Sequence, residues 1–379
     1  MATLPESGIV RVFNHGLGKP GLIPMWAGEG DLPTPAFITD AVARSLAAGE
    51  TFYTNQRGIP ELRQTLAGYT SRLYDRPVEP DEFIVTAGGM SAIQLAFQAT
   101  IGPGDEVLVP SPAWPNFEGA LRIQGGVPVP VAMQLRRDGW TLPLDRLFAA
   151  AGPKTRAIVI NSPSNPTGWT ATRDELAAIL AFARERGLWI IADEIYARFY
   201  YNAPLAPSFM EIRRPNDRII FVNTFSKNWA MTGWRIGWLQ APVSLAPMFE
   251  SLVQYNTSGV PTFLQRGAIS AVEDGETFVA EQIARARAGR DILTAALAKI
   301  NGAVYAPPAG AFYAFFTLPE ARDTMAMALR LVDEANIGIA PGAAFGAGSD
   351  GCFRICFLRS PDQLTEATER LTAWARTAM

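Results

Sequence analysis

Histidine is nearly missing from this 379-residue chain: His15 stands alone, beside two cysteines and four lysines. One histidine nearly excludes triads built on imidazole and histidine metal sites. Cys352 and Cys356 lie in Cys-Phe-Arg-Ile-Cys, whose alternation reads as a strand. Four strand steps separate their Cα atoms by roughly 13 Å, too far for a disulfide. A metal pair is no better served by that spacing, so both are expected to be reduced and structural. No apolar run approaches the roughly 18 residues of a membrane span. No charge of one sign prevails either: the net charge is -3 and no basic stripe occurs, which argues against nucleic acid as the main partner. Residues 1–7 lack a basic segment leading into an apolar one, so a cytoplasmic location is expected. Repeats and low-complexity segments are also lacking. Chemistry must therefore run on lysine, carboxylate, tyrosine or a cofactor.

Hydrophobic residues make up 48% of the chain, enough for a large core, and the length suggests two domains. Short apolar runs alternate with helical patterns. Strands are expected at Phe83–Thr86, Glu106–Val109, Ala157–Ile160, Leu188–Ile191 and Ile219–Val222. Several are apolar on both faces, as strands covered by helices on each side must be. Thr172-Arg173-Asp174-Glu175 is a capping box opening a helix whose Leu176, Ile179, Leu180 and Ala183 share a face. Another helix fits Met90 to Thr100. This rhythm predicts an α/β fold with a mainly parallel central sheet and helices on both faces. From about Glu273 a long helical pattern to Lys299 leads into Gly/Pro turns and a strand near Ala311 to Phe316. The expected division is a large domain over 41–272 and a smaller α+β domain over 273–379, joined by an N-terminal segment over 1–40.

The most informative stretch runs from Asn223 to Arg235, Asn-Thr-Phe-Ser-Lys-Asn-Trp-Ala-Met-Thr-Gly-Trp-Arg. It follows Ile219–Val222, which places Lys227 just past a strand's C-terminal end, the edge where open parallel sheets bind ligands. Lys19, Lys154 and Lys299 lie in turns or near a helix end and are poorly placed for chemistry. A lysine at that edge, hydroxyls before it and Arg235 eight residues on, suggests a Schiff-base site with an anion clamp. Thr86-Ala87-Gly88-Gly89-Met90-Ser91 joins a strand to a helix, either as an ordinary tight turn or as an anion cradle at a helix N-terminus. Two literal G-x-G-x-x-G matches, Gly16 to Gly21 and Gly346 to Gly351, neither follow a convincing strand nor open a helix, and read as turns.

Three further segments carry polar groups to the same edge. Asn161-Ser162-Pro163-Ser164-Asn165-Pro166-Thr167-Gly168 follows a buried strand and is either a structural turn or a rigid mount for the Asn165 amide. Asp193, in Ala192-Asp193-Glu194-Ile195-Tyr196, is either a helix N-cap or a buried counter-ion to a protonated ring nitrogen, with the Tyr196 hydroxyl close by. Arg354, flanked on its strand face by two small cysteines, either makes a surface salt bridge or takes a carboxylate in a bidentate contact.

Together these segments resemble the fold-type I, pyridoxal-phosphate-dependent class I/II aminotransferases, in particular their aspartate/aromatic aminotransferase subgroup. The likeness spans Gly28-Glu29-Gly30-Asp31 through Arg354. It rests on Asn165-Pro166-Thr167-Gly168, Asp193-Glu194-Ile195-Tyr196 and Ser226-Lys227 with Gly233-Trp234-Arg235, in that order. It implies that Lys227 holds pyridoxal 5′-phosphate as an internal aldimine and moves a proton to and from the substrate. Asp193 keeps the ring nitrogen protonated, Tyr196 and Asn165 hydrogen-bond the phenolic oxygen, and Trp114 stacks on the ring and borders the substrate. Ser226, Arg235, Thr224 and the Gly89 and Met90 amides hold the phosphate. Arg354, with Gly28 and Asn165, fixes the substrate α-carboxylate. Tyr53 matches a tyrosine that reaches the phosphate of the neighbouring subunit, which implies a homodimer with shared sites; no metal is implied.

The implied reaction is ping-pong transamination of an L-amino acid with a 2-oxo acid; a lyase or decarboxylase on the same fold is the alternative. A regulatory cofactor-binding domain is disfavoured, because no basic helix-turn-helix precedes Gly28. The chain departs from the pattern at Gly30, where relatives commonly have proline, and at Trp26. No second carboxylate-binding arginine is evident; Arg11 and Arg57 are unplaced candidates, and Trp26, Phe13 and Phe345 are expected to line an apolar pocket. Neutral or aromatic donors with 2-oxoglutarate as acceptor are the expectation, with aspartate open.

Overall fold

The computed structural model describes residues 6–136 and 138–378; the first five residues, part of the segment read for a leader, lie outside them. Strands run β1 (Ile23–Pro24), β2 (Phe83–Thr86), β3 (Glu106–Ser111), β4 (Val127–Ala132), a hairpin β5 (Gln134–Arg136) and β6 (Gly139–Thr141), β7 (Thr155–Asn161), β8 (Trp189–Asp193), β9 (Ile219–Thr224), β10 (Gly237–Gln240), β11 (Tyr313–Thr317), β12 (Ile337–Gly338), β13 (Ala340–Pro341) and β14 (Cys352–Cys356). The central sheet has seven strands in the order β2-β10-β9-β8-β7-β3-β4. Strands β9, β8, β7, β3 and β4 are parallel neighbours, and β10 runs antiparallel between β9 and β2. The sheet therefore brings the ends of β2, β3, β7, β8 and β9 to one edge.

Burial explains why these strands read as unbroken apolar runs. Ile158, Ile160, Ile190, Ala192 and Phe221 pack into one core layer, while Ala157, Val159, Ile191, Ile220 and Val222 pack into the layer on the opposite face. Alternate residues thus enter two cores, each large side chain contributing about 1.5–3 kcal/mol when fully buried. The edge strand β4 carries Pro128 and Pro130, which cannot donate to a further strand.

Helices that matter for the cleft are α1 (Gly8–Gly16), α2 (Ala36–Ala47), α3 (Pro60–Tyr74), α4 (Gly89–Thr100), α5 (Pro115–Ile123), α6 (Leu144–Ala149), α7 (Arg173–Arg186) and the short α8 (Phe225–Asn228). The expected capping box opens α7: Thr172 accepts from the Glu175 N–H at 3.2 Å, and Glu175 accepts from the Thr172 N–H at 2.7 Å. Then come α9 (Ala246–Asn256), α10 (Thr262–Asp274), α11 (Glu276–Leu297), α12 (Thr324–Ala335) and α13 (Pro361–Ala378). The helical pattern expected from Glu273 to Lys299 is thus interrupted. Gly275 separates α10 from α11, and a Cβ there would lie 2.2 Å from the Ala271 carbonyl oxygen and 2.6 Å from the Trp229 indole nitrogen. Close approach, which only glycine permits, explains the break.

The chain's two ends meet. β1 pairs in parallel with β12, matching Ile23 to Ile337 and Pro24 to Gly338, and α1 packs on α12. A separate three-stranded sheet, β11-β14-β13, carries Arg354 at the centre of β14. The two glycine-rich hexapeptides are turns, with Gly18, Gly21, Gly346, Gly348 and Gly351 all at positive φ. Both cysteines are buried and free. No described helix is long and apolar enough to cross a membrane.

Candidate active site

At the end of β9, Thr224 caps the one-turn helix α8, its hydroxyl accepting from the Ser226 N–H and lying 2.9 Å from Ser226 Oγ. The turn projects Lys227 into a cleft of about 480 Å³. Its Nζ donates to the Gly28 carbonyl at 2.6 Å and stands 5.9 Å from the Tyr196 ring centroid. Burial disfavours the ammonium form, and the Arg354 charge adds to this, bringing the amine down to about 8. About a tenth of the amine is therefore unprotonated at pH 7, far more than for an ordinary lysine at about 10.4.

The turn between β2 and α4 faces the same cleft. Gly88 has φ +88, and a Cβ on it would lie 2.7 Å from Arg235 Nη2. Arg235 itself is left-handed (φ 56, ψ 51), and its Nη1 donates to the Thr232 carbonyl at 2.7 Å. The first N–H groups of α4, those of Gly89, Met90 and Ser91, have no partner within the helix. Ser226, Thr224, Arg235 and this helix start line one part of the cleft, so hydroxyls, a guanidinium and free N–H groups that suit an anion lie together there.

Asp193 ends β8 with a carboxyl 1% exposed. Its Oδ1 accepts from the Ile195 N–H at 3.3 Å, and among the described residues it has no ion-pair partner. Burial pushes it up to about 7, against the milder pull of that N–H and of Lys227. It is not the N-cap of any helix of regular length. A buried carboxyl without a cation is an incomplete site. The neighbouring Glu194 faces elsewhere: Ser208 donates to it, and burial favours its neutral form, raising it to about 8.

Arg354 is 2% exposed and makes no salt bridge among the described residues, which removes the surface ion-pair reading. Its Nη1 donates to Asn165 Oδ1 at 3.0 Å and its Nη2 to the Trp26 carbonyl. The guanidinium lies over the Tyr313 ring at 4.7 Å and the Phe345 ring at 5.0 Å. A buried, fork-shaped cation with no anion of its own suits a carboxylate supplied from outside. Asn165 is held in turn by its N–H, which donates to Asn161 Oδ1 at 2.8 Å.

Gly28, Gly89, Met90, Trp114, Asn165, Asp193, Tyr196, Thr224, Ser226, Lys227, Arg235 and Arg354 all line this one cleft. Tyr53 does not: it is 94% exposed on its own protomer. Of the expected apolar pocket of Trp26, Phe13 and Phe345, Trp26 lines the cleft and the other two do not. The Trp26 indole packs against Gly16 and Gly338, Phe13 packs edge-on to it on the outside, and Phe345 lies under Arg354. Arg57 is tied to Asp81 at 2.9 Å, and Arg11 does not line the cleft.

Three contributors escaped the sequence reading. Tyr313 on β11 lies with its hydroxyl 2.7 Å from that of Tyr196; a polar tip inside an apolar strand was the available signal. Asn161 closes β7 and holds Asn165; as the first polar residue after an apolar run it was legible. Ile9 and Val10 of α1 form an outer wall, and nothing in the sequence places that helix here.

Fold and cleft together describe an α/β protein that gathers at one sheet edge a buried lysine amine, a helix start beside hydroxyls and a guanidinium, and a buried arginine without an anion among the described residues. The chain belongs to the family of class I and II aminotransferases, whose model matches residues 22–371. It is 37% identical over 357 residues to a probable aspartate/prephenate aminotransferase of Aquifex aeolicus, covering 92% of this chain and 90% of that protein. It is 36% identical over 353 residues to the aspartate/prephenate aminotransferase of Thermus thermophilus, with coverage of 92% and 90%. A solved Thermus thermophilus aspartate aminotransferase mutant superposes with a TM-score of 0.91 at 34% identity, covering 98% of this chain and 97% of that one. The family favours amino-group transfer between an L-amino acid and a 2-oxo acid over the lyase or decarboxylase alternative.

Proposed function

We propose that the protein transaminates an L-amino acid with a 2-oxo acid using pyridoxal 5′-phosphate carried on Lys227. The observation that carries this reading is the buried Asp193 carboxyl, which lacks a cation in a cleft that also holds a depressed lysine amine. The residues fit the cofactor at each end. Asp193 supplies the anion that a protonated ring nitrogen needs, and the helix start of α4 with Arg235 and Ser226 supplies the cradle for a phosphate. Trp114 provides an aromatic face, and Tyr196 and Asn165 provide hydrogen-bond donors for a phenolic oxygen.

When bound, pyridoxal phosphate supplies a cationic heterocycle that accepts the electrons left behind when the substrate Cα loses its proton. The chain does the rest by position and charge. Arg354, braced by Asn165 and the Trp26 carbonyl, orients the α-carboxylate and so fixes the Cα–H bond near Lys227. The Lys227 amine takes that proton and delivers it again on the cofactor side, as a base poised close to neutrality should. The Asp193 carboxylate, paired, holds its charge in the buried site. Release of a 2-oxo acid precedes binding of the second, which runs the same steps in reverse.

The reading includes a homodimer in which Tyr53 of one protomer completes the phosphate site of the other, a division of the chain at about residues 40 and 272, and a cytoplasmic location. The exposure of Tyr53 supports the first of these. Reduction of the loaded protein with borohydride should attach the cofactor covalently at Lys227, located by peptide mass, and Lys227→Ala should abolish both attachment and turnover. Full turnover by Lys227→Ala would overturn the assignment.

A further inference from the structure

Which side chain the substrate carries is written in the charges of the cleft wall. Among the described residues the cleft holds three cations, Lys227, Arg235 and Arg354. Each has a task under the reading above: reacting amine, phosphate partner and α-carboxylate clamp. The rest of the described lining carries no cation: α1 brings Ile9 and Val10 and α4 brings Met90 and Ile93, beside the neutral polar residues Ser7, Asn116 and Thr232. The lining also includes the acidic side chain Glu29, which accepts a hydrogen bond from the Thr232 hydroxyl at 2.8 Å. A second substrate carboxylate would find no cation of its own in this lining.

The segment that would carry Tyr53 into a neighbouring subunit's site does not correct this. The segment bearing Tyr53 is packed on the last turn of α9 and the segment after it: Gln56 donates to Gln254 at 2.6 Å, and Gly259 sits against Thr54. Whatever brings Tyr53 to a neighbouring site brings both segments. Across residues 51–59 and 254–261 the one cation is Arg57. Its guanidinium is already held by the Asp81 carboxylate at 2.9 Å and the Asp81 carbonyl at 2.8 Å.

We propose that the side-chain subsite takes neutral, apolar or aromatic side chains and disfavours a second carboxylate in both half-reactions, with Val10 and Ile9 of α1 as specificity-determining residues. This rests on the transaminase reading. It replaces 2-oxoglutarate, the acceptor expected from the sequence, with a monocarboxylic 2-oxo acid, and it parts from the relatives named for aspartate.

The test follows single half-reactions of the holoenzyme by the cofactor's absorbance, with phenylalanine, leucine and aspartate as donors. The pyridoxamine form is then tested with 4-methyl-2-oxopentanoate and 2-oxoglutarate. The neutral member of each pair should lead in kcat/KM by on the order of 10²-fold, as expected where a buried charge finds no partner. Val10→Lys, at a half-exposed position that tolerates the change, should raise kcat/KM for aspartate about tenfold and lower that for leucine. Val10→Met, as the uncharged control of similar length, should leave aspartate unchanged. Preference of the wild type for aspartate or 2-oxoglutarate overturns the proposal while leaving the transaminase reading intact. Failure of every amino acid to react overturns that reading instead. A Val10→Lys enzyme with unaltered preference removes Val10 as a determinant.

Discussion

Replacing Asp193 with asparagine should strengthen the cofactor-free protein and cripple the loaded one. In the absence of a cation, burial raises the carboxyl from 3.8 to about 7. Three units at about 1.4 kcal/mol each set an upper limit of about 4 kcal/mol for carrying the ionised form in the folded chain. Because the folded value lies above the unfolded one, the proton favours folding. That contribution is complete below pH 3.8, declines as pH rises, and is lost above about 7. Asparagine stays neutral at every pH and still accepts from the Ile195 N–H, but its amide hydrogens lack acceptors, a cost of about 1–3 kcal/mol. The net gain for cofactor-free Asp193→Asn at pH 8 is therefore about 1–3 kcal/mol, shrinking to nothing or reversing near pH 4. Urea midpoints of the two proteins at both pH values measure it directly. An unchanged difference between wild type and variant across that range would refute the electrostatic account of this carboxyl. With pyridoxal phosphate bound, the same change removes a preorganised charge, and kcat should fall by roughly 10²–10³-fold.

Gly28→Ala would place a methyl group 2.4 Å from the Tyr313 hydroxyl oxygen; KM for the amino acid should rise about tenfold, or ~1.4 kcal/mol, and Tyr313→Phe in the same chain should restore part of it. Arg354→Lys keeps the charge but loses the fork, so kcat/KM should drop roughly 10²-fold, about 3 kcal/mol, while cofactor absorbance is unchanged. Mixing Lys227→Ala chains with Tyr53→Ala chains tests the shared site: hybrid dimers regain one complete site if Tyr53 acts across the interface, and none if it acts within its own protomer.

Strands were the most legible feature because their two-sided burial writes itself as runs such as Ile219 to Val222. The structure leaves Phe83–Thr86 as expected, begins β8 one residue later, and carries the other C-terminal ends one or two residues further, in three strands as far as the polar positions Asn161, Asp193 and Thr224 at the cleft edge. The site motifs were legible for a related reason: each follows such a run directly, so the sheet's edge gathers them. What escaped depends on distance along the chain. Tyr313 meets Tyr196 across 117 positions, and α1 reaches the cleft through pairing of β1 with β12. Phe13 and Phe345 were misread as pocket lining beside Trp26, because an aromatic side chain says nothing of its partner: Phe13 packs on the outer side of Trp26 and Phe345 lies under Arg354. Periodicity reports a residue's face on its own element, and these contacts lie between elements.

Helix α1 borders the cleft at Ile9 and Val10, while its other end is fastened to α12 by His15 and, from the turn that follows, by Lys19, both bound to Asp333. The wall that meets the incoming side chain is thus mounted on a remote surface helix, whereas Lys227 and Asp193 are mounted on the central sheet. Drift in α12 can therefore retune substrate choice without disturbing the chemistry. A lineage could change its diet of amino acids through substitutions far from any atom that reacts.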